Sequence, residues 1–169
     1  MRRFGRRSGA RSGGQSEASD DAEAARRAAL AMLGRREFCS AELKTRLGEK
    51  GFTPGVSDAV IAELQDERLL DDSRYLEQFV RVHAGRGQGP TRIRQELSSV
   101  GVRGDLVDQA LDEGPDFVAL CREVRVRKFG SAPPDDWKEK SRQARFLQYR
   151  GFSSDHIRSA LGQDLDTAE

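Results

Sequence analysis

The residues best suited to covalent or acid–base chemistry are few in this chain, which has two histidines, two cysteines and one tryptophan. His83 and His156 are not expected to form a relay with an acid and a nucleophile, and no general base, nucleophile and oxyanion site come together. Cys39 and Cys121 are far apart and lack CxxC spacing, so neither a disulfide framework nor a zinc site is expected, and both read as ordinary half-buried thiols. Asp71 and Asp72 are of a type that binds divalent ions, yet adjacent carboxylates just before a helical stretch are expected to cap it. Gly85, Gly87 and Gly89 precede Pro90 in a glycine-rich run. No strand precedes that run and no Gly-Lys-Ser/Thr follows it, which excludes a P-loop and leaves a tight inter-repeat hinge. Trp137, after Pro133, Pro134, Asp135 and Asp136, is expected to pack in the core at a helix start rather than to stack on a base.

The chemistry that remains is recognition of anions by arginine and lysine. The net charge of +1 conceals a banded distribution. Residues 1–14 carry five arginines and no acid; residues 81–103 hold five arginines against one acid; residues 122–150 hold nine basic residues against four acids. Between them, residues 54–77 carry seven acids against Arg68 and Arg74, and residues 104–118 carry five acids and no base. Such banding sets basic strips beside acidic ones. A single solvent-facing arginine is ordinarily a solvated helix face with i,i+4 partners, so the clusters carry the argument and their members do not. Arg92 and Arg94 follow Pro90 at a helix start, where the dipole disfavours cations and an anionic partner compensates. Little acid is expected near them. The candidate contact residues are Arg81, Arg86, Arg92 and Arg94 in the first basic strip, and Arg127, Lys128, Arg145 and Arg150 in the second.

The elements that position these side chains are helical throughout. Acids at Asp20, Asp21 and Glu23 suit a helix start, and Ala25, Ala28, Ala29, Met32 and Leu33 recur on one face. Ser40 is the expected N-cap of a second helix carrying Leu43 and Leu47, which ends at Gly51; Thr53 and Pro54 open a third with Val56, Val60, Ile61 and Leu64. No segment alternates as a strand does. Leu47-x-x-x-Gly51-Phe52 then recurs as Leu97-x-x-x-Gly101-Val102 and as Leu147-x-x-x-Gly151-Phe152, fifty residues apart each time. A period of that length means three copies of one supersecondary unit. Each glycine is explained by a left-handed C′ position, and the residue after it by the apolar contact that closes such a cap. Asp71 or Asp72 is expected to cap the helix with Tyr75, Phe79 and Val82, and Pro115 to start the one with Phe117, Leu120, Cys121 and Val124.

Two stretches, LLDDSRYLEQFV (69–80) and RGQGPTRIRQEL (86–97), resemble the RecX family, regulators of the RecA recombinase. FLQYRGFSSDHI (146–157) is similar to that family's C-terminal unit, and the resemblance runs from about residue 22 to 163. The stretch SSVGVRGD after the middle motif is less acidic and richer in glycine than the family pattern. The resemblance implies nine helices in three repeats, a curved body lodged in the groove of the RecA filament on single-stranded DNA. It further implies restraint of strand exchange, ATP hydrolysis and co-protease activity.

Composition agrees with thin amphipathic layers, since 34% of residues are charged and only 7% aromatic. The expected fold is all-α, with three tandem three-helix repeats in an elongated, curved, right-handed-type array. Its parts are a disordered basic tail at 1–18, repeats at 19–68, 69–114 and 115–163, and a disordered C-terminus at 164–169. No apolar run approaches the ~20 residues of a membrane span, and a cytoplasmic monomer without cofactor or metal is expected. The expected partners are the RecA nucleoprotein filament and, weakly or indirectly, single-stranded DNA. Two rivals stand beside this reading: a helix-turn-helix-like nucleic-acid-binding module without a recombinase partner, and a generic helical scaffold, which leaves the arginine clusters unexplained.

Overall fold

The structure is a computed structural model that describes residues 19–162; the expected tails at 1–18 and 164–169, with residue 163, lie outside the described residues. Among the described residues there are nine α-helices: α1 (Ala22–Leu33), α2 (Ser40–Glu49), α3 (Pro54–Asp66), α4 (Asp72–Gly85), α5 (Pro90–Ser99), α6 (Asp105–Asp112), α7 (Phe117–Phe129), α8 (Trp137–Tyr149) and α9 (Ser154–Ala160). The only β-type pairing among them is an isolated bridge between Ser19 and Phe52.

Local chemistry sets most boundaries. Asp21, Thr53, Asp71, Asp136 and Ser153 each accept a backbone N–H of the first turn that follows them. One expected cap and one expected helix start move. The N-cap of α2 is Cys39, whose Sγ accepts from Glu42 N at 3.4 Å, while the Ser40 N–H donates to Asp72 Oδ1 at 2.7 Å. The two adjacent aspartates therefore cap two different helices, Asp71 its own and Asp72 the start of α2 across the joint between units. α7 starts at Phe117 rather than at Pro115, with Asp116 as its N-cap, because that carboxylate accepts from both Val118 N and Ala119 N.

The repeat signature becomes one backbone motif made three times. Gly51, Gly101 and Gly151 hold φ of +90°, +86° and +91°. After each, the next residue's N–H reaches back to the buried leucine carbonyl: Phe52 to Leu47 at 3.2 Å, Val102 to Leu97 at 3.0 Å, and Phe152 to Leu147 at 3.2 Å. This is the 6→1 bond of a Schellman cap, and all three leucines are fully buried.

Substantial helix packing stays within the triplets α1–α3, α4–α6 and α7–α9. The apolar cores are shared differently. One cluster, with Ala25, Ala29, Leu43, Leu47, Leu64 and Leu70, serves the first unit, whereas a second takes in Cys39 at the start of α2 and runs continuously from Tyr75, Leu76 and Leu97 through Phe117 and Cys121 to Leu147 and Ala160. The second and third units thus form one body.

Their joint is a backbone clamp. Gly89 N–H donates to Arg150 O at 2.8 Å and Thr91 N–H to Gly151 O at 3.1 Å. A Cβ on Gly89 would lie 2.4 Å from Gly151 C, and one on Gly151 would lie 2.4 Å from Arg92 Cβ. Those side-chain-free positions let the two backbone segments touch, so the run read as a hinge is interlocked.

Candidate nucleic-acid interface

Four of the eight expected contact residues converge at that joint. Arg86 follows the end of α4, Arg127 and Lys128 occupy the last turn of α7, and Arg150 caps the end of α8. Helix C-termini carry the negative end of the dipole and tolerate cations, which accounts locally for Arg127, Lys128 and Arg150. Together with Gly87, Val124 and Phe146 these side chains line a small cleft of about 120 Å³. Arg150 donates to Arg86 O at 3.3 Å and its guanidinium carbon lies 5.3 Å from the centre of the Phe146 ring. Among the described residues, none of the four cations has a carboxylate partner. Four neighbouring cations without counter-ions repel one another, and a bound polyanion relieves that repulsion.

The other four lie elsewhere. Arg81 lines a separate, largely apolar groove of about 530 Å³ with Val80, Ala84, Ala110, Pro115 and Leu120. Arg145 is exposed on α8 and reaches only its own helix, at Ser141 O, 3.3 Å away. Arg92 and Arg94 are not short of acid, contrary to expectation. Arg92 Nε donates to Glu96 Oε1 at 3.0 Å, one turn on, and Arg94 binds Asp108 Oδ1 of α6 at 3.0 and 2.8 Å through Nε and Nη2. The acidic and basic bands of the second unit therefore face each other at this point, which a linear count of charge conceals.

His83 also has an acid that its sequence neighbours do not reveal. Its Nδ1 lies 2.7 Å from Glu96 Oε2 and 2.6 Å from Gln88 Oε1, and its ring stacks on Phe79 with centroids 3.9 Å apart. Burial by itself raises the Glu96 carboxyl, but the hydrogen bond from Arg92, the charge of His83 and the Gln88 amide carry it below the usual carboxylate range. This is a structural knot between α4 and α5, with no nucleophile in it. The cysteines are fully buried rather than half-buried, and burial pushes the Cys121 thiol up to about 12. No group of three or more His, Cys, Asp or Glu among the described residues is placed to hold a metal ion.

Two features escaped the sequence. Arg125, counted with the second basic strip, is buried: Nε donates to Gln143 Oε1 at 3.0 Å and Nη2 to Ala132 O, which ties α7, α8 and their connecting loop together. Its place four residues after the core residue Cys121 was the available signal. Trp137, expected in the core, is 79% exposed at the first position of α8.

The chain matches family models described as the first, second and third three-helix domains of RecX over residues 25–64, 71–111 and 116–161. Among curated relatives, "Regulatory protein RecX" of Halorhodospira halophila is 46% identical over 145 residues, covering 85% of this chain and 90% of its own length. The protein of the same name from Pseudomonas fluorescens is 42% identical over 149 residues, covering 87% and 96%. The crystal structure of RecX from Lactobacillus salivarius superposes with a TM-score of 0.74 at 22% identity, covering 85% of this chain and 96% of that one, a likeness of fold.

Proposed function

The chain belongs to the RecX family of regulatory proteins, and from that premise we propose that it binds the RecA filament on single-stranded DNA and restrains the filament's recombinase, ATPase and co-protease activities. The observation that carries the reading is the set of cations at the joint of the second and third units, Arg86, Arg127, Lys128 and Arg150, which the fold gathers without carboxylate partners. These groups contact phosphates of the bound strand or acidic filament surface, and the acidic α3 and α6 helices face basic recombinase loops.

The mechanism is occupancy. A body in which two units are fused through one core and a backbone clamp bridges neighbouring recombinase subunits as a rigid bar, obstructing subunit exchange and incoming duplex. No turnover by the chain itself is involved, and it acts as a monomer in the cytoplasm. The test is single-stranded-DNA-dependent ATP hydrolysis by RecA, together with co-sedimentation with RecA, ATP and the strand. Slowed hydrolysis at substoichiometric chain and recovery in the pellet are expected; no effect at equimolar chain refutes the reading. Tight binding to naked DNA that disappears steeply with salt, with no effect on RecA, selects the helix-turn-helix-like module instead.

A further inference from the structure

The outward face of α8 carries an arrangement that the cleft does not use. Trp137 stands at the first position of the helix and Tyr149 at the last, and they are 79% and 76% exposed. Neither indole nor phenol belongs to either apolar core. With a rise of 1.5 Å per residue the two rings are about 18 Å apart along the axis. Between them Lys138, Arg142 and Arg145 recur at helical spacing and continue into Tyr149, so these four share one face, while Trp137 stands about 100° round the helix from Lys138, at the edge that turns toward α9. Lys138 has no ion pair among the described residues, and Arg145 has only its own-helix carbonyl. Arg142 holds Glu139 at 3.2 Å and lies over the Phe129 ring at 5.3 Å. Glu139 is the one acid of this helix, and its other oxygen is taken by the buried Gln143 amide at 3.0 Å. At the far end, the Arg92 guanidinium sits 5.6 Å from the centre of the Tyr149 ring. Beside Trp137 a groove of about 290 Å³ opens between α8 and α9, walled by Ala144, Ile157 and Leu161 with Lys140 and Gln148 at its edge.

We propose that this flank of α8 is a single-strand track that winds obliquely from the α9 edge onto the cationic row: a nucleobase stacks on Trp137 beside the groove, a second on Tyr149, and the phosphates between them lie on Lys138, Arg142 and Arg145. Flat aromatic rings spaced by cations match a polyanion whose every residue has a π-face, and stacking needs no particular base. An acidic peptide satisfies the cations but leaves two exposed rings without a planar partner. The inference deepens the nucleoprotein reading above and rests on it, yet it is tested without recombinase, so that either can fail alone.

Because Trp137 is the only tryptophan of the chain, its fluorescence reports the site directly. Titrating the full chain with an oligothymidylate at low salt is expected to quench the emission saturably. Trp137→Ala is expected to weaken binding of a labelled oligothymidylate at least about fivefold with far-UV circular dichroism unchanged, and Trp137→Phe to restore most of it. Lys138→Ala with Arg145→Ala is expected to flatten the salt dependence, which Trp137→Ala leaves as it was. Three results overturn the proposal: emission unchanged while the labelled strand binds, an abasic strand of equal length bound as tightly by the native chain, or quenching by recombinase alone and not by the oligonucleotide. The last gives the groove to a protein partner. Failure of the chain to slow RecA, with the quenching intact, refutes the filament reading and leaves the track standing.

Discussion

Three glycines with the same backbone conformation in three copies of the same motif allow conformation to be separated from packing. Alanine at Gly51, Gly101 or Gly151 incurs the same left-handed cost, about 1–2 kcal/mol, because φ is +90°, +86° and +91°. What surrounds the new methyl differs. At Gly51 nothing lies within 4 Å, at Gly101 the Ala41 Cβ is 3.3 Å away, and at Gly151 the Arg92 Cβ and N are at 2.4 and 2.6 Å. Ordinary carbon–carbon contact is about 3.5–4.0 Å, so the third case forces the joint apart by more than about 1 Å. The 2.8 Å bond from Gly89 N to Arg150 O and the 3.1 Å bond from Thr91 N to Gly151 O then pass beyond hydrogen-bond range. Losing two such bonds, each with a buried glycine as one partner, costs about 2–3 kcal/mol. Urea denaturation followed by circular dichroism is therefore expected to show losses of about 1–2 kcal/mol for Gly51→Ala, slightly more for Gly101→Ala, and about 3–5 kcal/mol for Gly151→Ala. Gly89→Ala, whose φ of −85° carries no conformational cost, is expected to lose only the packing part, about 2–3 kcal/mol. Equal losses for the three motif glycines, or a neutral Gly89→Ala, refute the clamp.

Further expectations follow from the charges. Arg86→Ala with Arg127→Ala is expected to reduce filament affinity and lower its salt slope by about 1.4, whereas Arg92→Ala with Arg94→Ala, whose partners are Glu96 and Asp108, changes that slope far less; co-sedimentation across a salt series decides, and equal slopes for the two pairs count against the cleft. Arg125→Met is expected to cost about 2–4 kcal/mol in urea denaturation, since it leaves Gln143 Oε1 and Ala132 O without their donor; a loss below about 1 kcal/mol shows that water replaces the guanidinium. His156 is held below the ordinary imidazole value of 6.5 by burial, against the opposing charges of Asp155 and Asp116. The unfolded chain then takes up this proton more readily than the folded one, so the stabilisation is complete above that value and is lost as pH falls through it. Melting temperature is expected to fall between about pH 7.5 and 5.5, and to fall less in His156→Gln; an unchanged slope in the variant assigns the effect to other groups.

Fold class, repeat and helix ends are written in short-range patterns of the chain. Helical periodicity, short-range caps and a glycine that needs positive φ are local properties, so Leu47, Leu97 and Leu147 and their following glycines were legible without a structure. Local reading differs by a residue or two, at Ser40 against Cys39 for a cap and at Pro115 against Phe117 for a helix start, because where a helix opens depends on where the preceding chain arrives. The tertiary structure decided everything that depends on which surfaces meet. It paired Arg94 with Asp108 and His83 with Glu96, buried Arg125, exposed Trp137, and left Arg86, Arg127, Lys128 and Arg150 together without acids. The physical reason is range: a helix turn is closed by neighbours three or four residues away, whereas the counter-ion or solvent exposure of a side chain is set by residues brought alongside from another helix.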